Sequence, residues 1–314
     1  MTQSDVVISN TPTPNGRMTW GRLMGEVPAR LNGFFFLPSS AVSLALLRII
    51  FFGTVFYLFV VNMQLDDRNS SSMQPGSFRP IGLLSALNVP LLSQQTTTAI
   101  YLLYVVGSLM ALFGLFTRTG AWIAGICGLY LYAMSSSFGK VGHGNMIVLF
   151  TIFTFAMSRA GDALSVDAWL RRRRGLPEPT RSGEYTWPVR TVWVFMSLIF
   201  VATGIAKLRW GGYDWLFTPH LASTIRQHYL LPDGTAPAWP IGLWVAQHEL
   251  LCIGIALVTV IVELLFPLAL IHKYFRLFFP IAMFSLQFGI GFSMGIFFWT
   301  FFLCFLFWLP WEKI

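Results

Sequence analysis

The sequence predicts an all-α fold, a polytopic integral membrane bundle of about 7–9 transmembrane helices. Hydrophobic residues make up 55% of the 314-residue chain and charged residues only 11%, whereas soluble domains carry about 25% charged residues. The apolar residues fall in long continuous runs, and a spanning helix needs roughly 20 of them. A membrane barrel would show short alternating segments instead. This composition excludes a soluble enzyme, and the 30 Phe and 12 Trp residues exclude a disordered chain.

The apolar runs, taken in chain order, predict six spans and one longer final stretch. The spans cover approximately residues 42–61, 99–117, 120–137, 144–158, 190–207 and 250–271. Each is expected to be helical, because lipid offers no hydrogen-bond partner for free backbone groups. The final run, 277–310, is too long for one upright helix, and its glycines predict two short helices or one broken helix. Pro267 predicts a kink in the sixth span.

The distribution of lysine and arginine predicts the orientation. The polar segment 1–40 and the basic loop 159–190 fall on one side of the membrane if the spans alternate. Because cytoplasmic loops carry the excess of positive charge, we expect 1–40 to be a cytoplasmic N-terminal tail and 208–249 an extracytoplasmic loop. Residues 41–314 then form one transmembrane domain. The lack of barrel patterning and of a targeting signal favours the plasma (inner) membrane.

The densest basic run, Arg171–Arg174, lies in the loop 159–190. A run between two spans suits the anionic surface of the lipid bilayer, so the net charge of +8 does not call for a nucleic acid partner. Ser165 and Asp167 precede the run, and either residue is suited to cap a short interfacial helix that carries it.

The sequence predicts neither a metal site nor the use of ATP. Each of the three cysteines lies inside an apolar run, with no CxxC spacing. Three histidines, His220, His228 and His248, share the loop 208–249 at spacings that fit no metal motif. The chain also lacks the GxxxxGK[ST] motif that cradles nucleotide phosphates.

Ionisable residues within or beside the spans are the candidates for chemistry, because each is costly to place in lipid. Lys207 ends the fifth span and His143 opens the fourth, so the predicted topology brings both to the outer boundary. Lys207 is either an anchor that snorkels to the interface or a partly neutral lysine that acts as a general base. His143 is either a hydrogen-bond partner at a helix end or a catalytic group.

Arg48 and Glu263 are the charged residues deepest in the predicted spans. Counted from the cytoplasmic ends of their helices at about 1.5 Å per residue, both reach a similar depth in the inner half. We expect them to form a structural ion pair, because an unpaired buried charge is strongly destabilising.

Several short strings resemble the vitamin K-dependent gamma-carboxylase family, in particular its bacterial branch, which is named for the HTTM (horizontally transferred transmembrane) domain. The likeness covers nearly all of the chain from about residue 41 to residue 310. The strings occur in the order expected for the family: SLALLR at 43–48, GH at 142–143 with LSVDA at 164–168, TGIAKL at 203–208 with DW at 214–215, Glu263, and SMGIF at 293–297.

The resemblance implies both a reaction and a site. In the carboxylases a lysine deprotonates a reduced naphthoquinone, the anion takes up oxygen to become a strong base, and this base prepares a glutamate for carboxylation. Lys207 matches that lysine, and His143 matches the histidine that steadies the carbanion. Asp214 and Trp215 match the DW segment and are expected to be polar pocket residues. The implied cofactor is a reduced naphthoquinone of the vitamin K or menaquinol type, which arrives through the bilayer.

Two departures from the family leave three functions open. Ala206 replaces a second lysine, and the chain stops at Ile314, without the large C-terminal part that binds peptide substrates in the carboxylases. The first function is a quinol-dependent oxygenase or carboxylase that acts on a small substrate or on one supplied by a partner protein. The second is a non-catalytic membrane scaffold or accessory subunit. The third is a small-solute or lipid transporter that uses the intramembrane polar residues as a path.

Overall fold

The computed structural model describes residues 20–61, 76, 78–138, 143–230 and 239–311, except for the side chains of residues 20–27 and 143. Within these ranges the chain is helical, and its β-type pairing is limited to one isolated bridge between Ser39 and Ser182. The helices are α1 (Trp20–Phe35), α2 (Ala41–Phe56), α3 (Gly82–Ala86), α4 (Gln94–Phe113), α5 (Thr117–Ser136), α6 (His143–Met157), α7 (Val166–Arg173), α8 (Trp187–Ala206), α9 (Gly212–Phe217), α10 (His220–Leu230), α11 (Ile241–Ala246), α12 (Glu249–Leu265), α13 (Leu268–Ile271), α14 (Lys273–Met294) and α15 (Trp299–Phe305).

Four helical segments are long and apolar enough to cross a membrane: Ala41–Val61, Gln94–Phe113, Gly183–Phe217 and Lys273–Met294. Two shorter segments, Gly144–Met157 and Trp299–Trp308, are apolar as well. The chain is therefore an all-helical membrane protein. The count of seven to nine spans, the orientation and the division into a tail and one domain stay predictions.

Proline and glycine end the helices near the C-terminus of the chain. α12 ends at Leu265, and Pro267 is the N-cap of the one-turn helix α13. α14 ends at Met294, and its C-cap Gly295 has a φ of +74°, a left-handed conformation that glycine adopts at no steric cost. The kink at Pro267 and the division of the last apolar run into two helices are thus confirmed.

Aromatic side chains from helices distant in sequence form the core of the bundle. Phe51 of α2 contacts Phe155 of α6 and Phe307, with ring centroids 5.4 Å and 6.3 Å apart. Trp193 of α8 stacks on Trp308 at 4.5 Å, and its indole Nε1 donates to the Phe307 carbonyl at 2.7 Å. Large buried rings contribute most of the contact area in such cores. The C-terminal segment is thereby packed against α2, α6 and α8.

Arg48 fastens α2 to the loop that follows α6. The side chain is fully buried and donates to the Ala160 carbonyl at 2.9 Å and to the Leu164 carbonyl at 2.6 Å. Leu164 has a φ of +45°, which is rare for a residue with a side chain. Hydrogen bonds from a charged donor are roughly twice as strong as neutral ones, so Arg48 holds this turn in place.

The turn leads into α7, whose predicted cap is confirmed. Ser165 Oγ accepts a hydrogen bond from the Ala168 amide at 2.8 Å, so Ser165 is the N-cap of α7. Asp167 has a different role, because its carboxylate accepts from the Phe116 and Thr117 amides, each at 2.8 Å. Asp167 therefore ties the turn to the start of α5.

The segment 208–249, expected to be an extracytoplasmic loop, is mostly helical over its described residues. It begins with a π-helical turn at Lys207–Gly211 and continues through α9, α10 and α11. All three helices pack against α12, and α10 and α11 also pack against α14. Hydropathy did not detect these helices because they are short and mixed in polarity, and the extracytoplasmic position of the segment stays a prediction. They contain no apolar run of roughly 20 residues, which is the length that hydropathy detects.

We expect Gly114→Ala to destabilise the protein more than Gly175→Ala. Both glycines are left-handed, with φ of +70° and +67°, so alanine costs about 1–2 kcal/mol at either position. At Gly114 the new Cβ would clash with Ser165 Cβ and lie 2.7 Å from Arg48 Nη1, whereas at Gly175 it meets nothing within 4 Å. Crowding adds about 1–3 kcal/mol at Gly114. Thermal unfolding in detergent measures both losses, and equal losses would contradict the close packing of Ser165 and Arg48 against Gly114.

Candidate functional site

A largely apolar cavity of about 740 Å³ lies between α10, α11, α12 and α14. Its volume falls within the range of pockets that hold small organic ligands. Two polar side chains from outside these helices, Lys207 and Trp215, also line it. Most of the wall is apolar and includes Ile225, Val245, Ile255, Val262, Phe278 and Leu286.

Lys207 forms a shielded ion pair at the wall of this cavity. It follows α8 directly, and its ammonium pairs with Glu263 Oε1 of α12. The Lys207 side chain is 22% exposed and that of Glu263 only 8%. The ammonium also lies 5.7 Å from the centre of the Trp215 ring, at the distance of a cation–π contact. Lys207 thus finds its partners inside the protein.

Gly204, one turn before Lys207, lets α12 approach α8. A Cβ at this position would lie 3.0 Å from Leu264 Cδ2 and 3.2 Å from Glu263 Cβ. Small residues permit close contact between helices in membrane bundles. The close approach brings the Glu263 carboxylate within reach of the lysine.

Two buried polar atoms beside the ion pair have no hydrogen-bond partner in the part of the chain that the structure describes. They are Glu263 Oε2, which is an acceptor, and Trp215 Nε1, which is a donor. The Thr203 hydroxyl lies near the Glu263 carboxylate, but it donates to the Phe200 carbonyl at 2.8 Å. An unsatisfied buried polar group costs about 1–3 kcal/mol. Of these two side chains only that of Trp215 lines the cavity, where its unpaired donor suits a ligand that carries an oxygen acceptor.

Arg48 and Glu263 do not form the predicted ion pair. Arg48 binds the carbonyls of the turn after α6, and Glu263 binds Lys207. The prediction counted depth along one continuous helix that ended at residue 271. Because α12 ends at Leu265, Glu263 stands in its last turn, level with the end of α8. Glu263 therefore shares the depth of Lys207 and not that of Arg48.

His143 begins α6, but its side chain lies outside the described residues, so its proximity to Lys207 stays a prediction. The start of α6 packs against α15, because a Cβ on Gly144 would contact Thr300 Oγ1. Phe298, which precedes α15, lines the cavity. The start of α6 therefore packs beside the segment that contributes Phe298 to the cavity wall.

Asp214 and Trp215 are neighbours in α9 but point to different surroundings. Trp215 lines the cavity and packs on His220, with ring centroids 4.9 Å apart. Asp214 is not among the cavity-lining residues that the structure describes, and its carbonyl accepts a hydrogen bond from Thr218 Oγ1 at 2.5 Å. Of the two, only Trp215 is placed to meet a ligand.

The cavity wall also contains polar residues that the sequence analysis missed as a group: Thr224, His228, Thr259, Ser285 and Ser293. His228 was considered only as a metal ligand, and the four hydroxyls were not considered as site residues. These residues belong to α10, α12 and α14, so their spacing along the chain carries no signal. The available signal was a hydroxyl in a largely apolar helix, such as Thr259 in α12. Among the described residues, no three His, Cys, Asp or Glu side chains form a metal-binding group.

We expect Lys207 and Glu263 to be strongly coupled in stability. Lys207→Met or Glu263→Leu alone leaves one buried charge without its partner, which costs about 3–5 kcal/mol. The double variant should recover most of this loss, because it removes both charges. Unfolding of the four proteins in detergent measures the coupling. Strictly additive losses would contradict the ion pair.

The site and the bundle around it match the HTTM domain over residues 36–312. The matched residues include α2 to α15, the cavity and the pair formed by Lys207 and Glu263. Neither a curated protein nor a solved structure matches the chain. Because the match covers most of its length, the chain belongs to the HTTM domain family.

Proposed function

We propose that this protein is a membrane-embedded, quinol-dependent oxygenase or carboxylase of the gamma-carboxylase type, with Lys207 as its base. One observation carries the proposal: a lysine paired with a buried carboxylate stands on the wall of an apolar cavity of about 740 Å³. A base in an apolar, ligand-sized cavity suits a lipophilic acid that arrives through the bilayer. Membership in the HTTM domain family is consistent with this reading.

The cavity fits a reduced naphthoquinone, which combines a flat apolar ring system with two hydroxyl groups. Apolar wall residues such as Ile225, Val245 and Ile255 would contact the rings. Trp215 Nε1 would donate to one ring oxygen, and the Lys207 side chain, which also lines the cavity, would face a hydroxyl. When bound, the quinol supplies an ionisable hydroxyl and the electrons that reduce oxygen.

Lys207 acts as a base only when it is neutral, and Glu263 offers a route to that state. Transfer of the ammonium proton to Glu263 converts an ion pair into a neutral pair. This transfer removes two charges from a medium that solvates them poorly. The neutral amine can then accept a proton from a hydroxyl of a ligand that lies at the cavity wall. The ammonium that results stays in place and attracts the negative charge left on that oxygen.

The surrounding helices protect this base from water. α10 and α11 form one side of the cavity, and Trp215 of α9 lies over the lysine. A site that excludes water strengthens its internal electrostatic interactions and limits the loss of protons to solvent. We propose His143 as a second polar group of this site because it matches the family's histidine in the sequence.

The ion pair argues against Lys207 being an interfacial anchor. A lysine that serves only as an anchor extends its ammonium to the headgroup region, whereas the ammonium of Lys207 is directed to a buried carboxylate. We propose that the protein lies in the plasma (inner) membrane, and the distribution of lysine and arginine supports a cytoplasmic N-terminus. The group to be carboxylated is on a small molecule or on a separate partner protein.

We expect the purified protein to consume oxygen when it is supplied with a reduced naphthoquinone and bicarbonate. Lys207→Ala should lower the rate by about 100-fold or more, because removal of a general base typically costs that factor. An oxygen electrode measures uptake, and mass spectrometry of the extracted quinone detects the epoxide.

Lys273→Ala is the matched control, because Lys273 is an exposed lysine at the start of α14. This variant should retain the full rate. Equal rates for wild type and Lys207→Ala would contradict the assigned base. Activity that is absent in every variant, with or without a candidate substrate, would favour the scaffold.

We expect Gly289→Leu to weaken quinone binding by about tenfold or more, since a side chain there would occupy cavity volume. Gly289 lines the cavity, and an added Cβ meets nothing within 4 Å, so the protein should still fold. Gly254→Leu is the control, because Gly254 has the same free space but lies outside the cavity lining. Binding of a radiolabelled menaquinone analogue distinguishes the two, and equal affinities would exclude this cavity as the quinone site.

A further inference from the structure

A second cavity, of about 580 Å³, lies on the surface between the turn from α4 to α5, the loop after α6, and α7. It is polar, unlike the cavity beside Lys207. Three arginines, Arg118, Arg159 and Arg171, line it together with two aspartates, Asp162 and Asp167. Cations therefore outnumber anions in its wall.

Both aspartates are saturated by contacts within the protein. Asp162 Oδ1 pairs with Arg171 at 3.1 Å, and its Oδ2 pairs with Arg159 at 2.9 Å. The Tyr185 hydroxyl also donates to Asp162 Oδ2, at 2.8 Å. Both oxygens of Asp162 are thus engaged by cations or donors of the protein itself.

The carboxylate of Asp167 is occupied in the same way. Its Oδ1 accepts from the Phe116 amide, and its Oδ2 accepts from the Thr117 amide and from the Thr117 hydroxyl at 2.7 Å. The start of α5 is thereby capped by the protein itself. The attraction for a ligand in this cavity thus rests on the arginines.

Two of the arginines have terminal N–H donors that are available to a ligand. Arg118 uses Nε to bind the Ser158 carbonyl at 2.8 Å, and Arg159 uses Nε to bind Asp162. No hydrogen bond from the terminal amino groups of either side chain to a described residue is present. A guanidinium presents such amino groups as a planar fork that matches the oxygens of a phosphate.

The surroundings of the cavity indicate the source of the phosphate. Large apolar side chains are exposed beside the arginines: Phe116 is 65% exposed, Met157 54%, Leu164 50% and Trp169 48%. Arginines next to exposed aromatic and aliphatic side chains are typical of the level where lipid headgroups meet acyl chains. A free phosphate ion would gain nothing from these apolar residues.

We infer that this cavity binds the phosphate of an anionic phospholipid. Arg118 and Arg159 hold the phosphate oxygens, and the acyl chains lie along the exposed apolar residues that begin with Phe116. Basic pockets between membrane helices are suited to acidic headgroups. This inference is independent of the quinol proposal, because the two cavities share no lining residue.

Lipid binding to the full chain in a neutral detergent tests the inference. Phosphatidylglycerol should raise the unfolding temperature with a saturable dependence on its concentration, and phosphatidylcholine should do so much less. The double variant Arg118→Gln/Arg159→Gln should raise the apparent Kd for phosphatidylglycerol by about tenfold or more, since it removes two charge-assisted contacts.

Arg172→Gln/Arg174→Gln is the matched control. It removes the same charge from the neighbouring basic run, where Arg172 is exposed and pairs with Glu178 at 3.2 Å. The apparent Kd of this control should stay within about twofold of the wild-type value. Equal weakening in both double variants would overturn the site, because general surface attraction would then explain the binding.

Two further experiments test the kind of ligand and the role of Arg159. Inorganic phosphate that displaces the lipid at millimolar concentration, and stabilises the protein equally, would overturn the assignment to a phospholipid. If the double variant does not fold, Arg159→Lys keeps the charge and loses the planar fork. That variant should weaken phosphatidylglycerol binding several-fold, and an unchanged Kd would overturn the role of Arg159.

Discussion

A charge placed in lipid needs a partner from the protein, and Arg48 shows how this requirement shapes the bundle. Its buried guanidinium binds two carbonyls of the turn after α6. Removal of these bonds would leave both the cation and the carbonyls without compensation. Around this contact α2 meets the turn, Asp167 joins the turn to α5, and Ser165 begins α7. One buried cation thus organises the meeting point of four segments.

The same requirement creates the candidate site at the end of α8. The ion pair of Lys207 and Glu263 satisfies two charges that neither lipid nor an apolar cavity could solvate. The interaction that makes the lysine tolerable in the fold also holds its side chain at the cavity wall. In the proposed reaction, the same carboxylate would take up the lysine proton.

The two cavities differ in the chemistry that their walls offer. The wall beside Lys207 is apolar, with a few polar atoms that fix orientation, as expected for a lipophilic ligand. The wall beside Arg118 is charged and borders exposed apolar side chains, as expected for a headgroup. A quinol site and a phospholipid site would serve one protein in different ways. The first concerns chemistry, and the second concerns how the bundle is held in its membrane.

The sequence by itself determined the helical membrane class, the positions of most helices, the break at Pro267 and the cap at Ser165, because these depend on local composition and hydrogen bonding. It also singled out Lys207 and Glu263 as costly charges. Only the tertiary structure decided their partners. Hydropathy measures where a helix is apolar, but it does not show where α12 ends or that Gly204 lets α12 approach α8. Pairing depends on which helix faces meet, and packing between distant segments sets those faces.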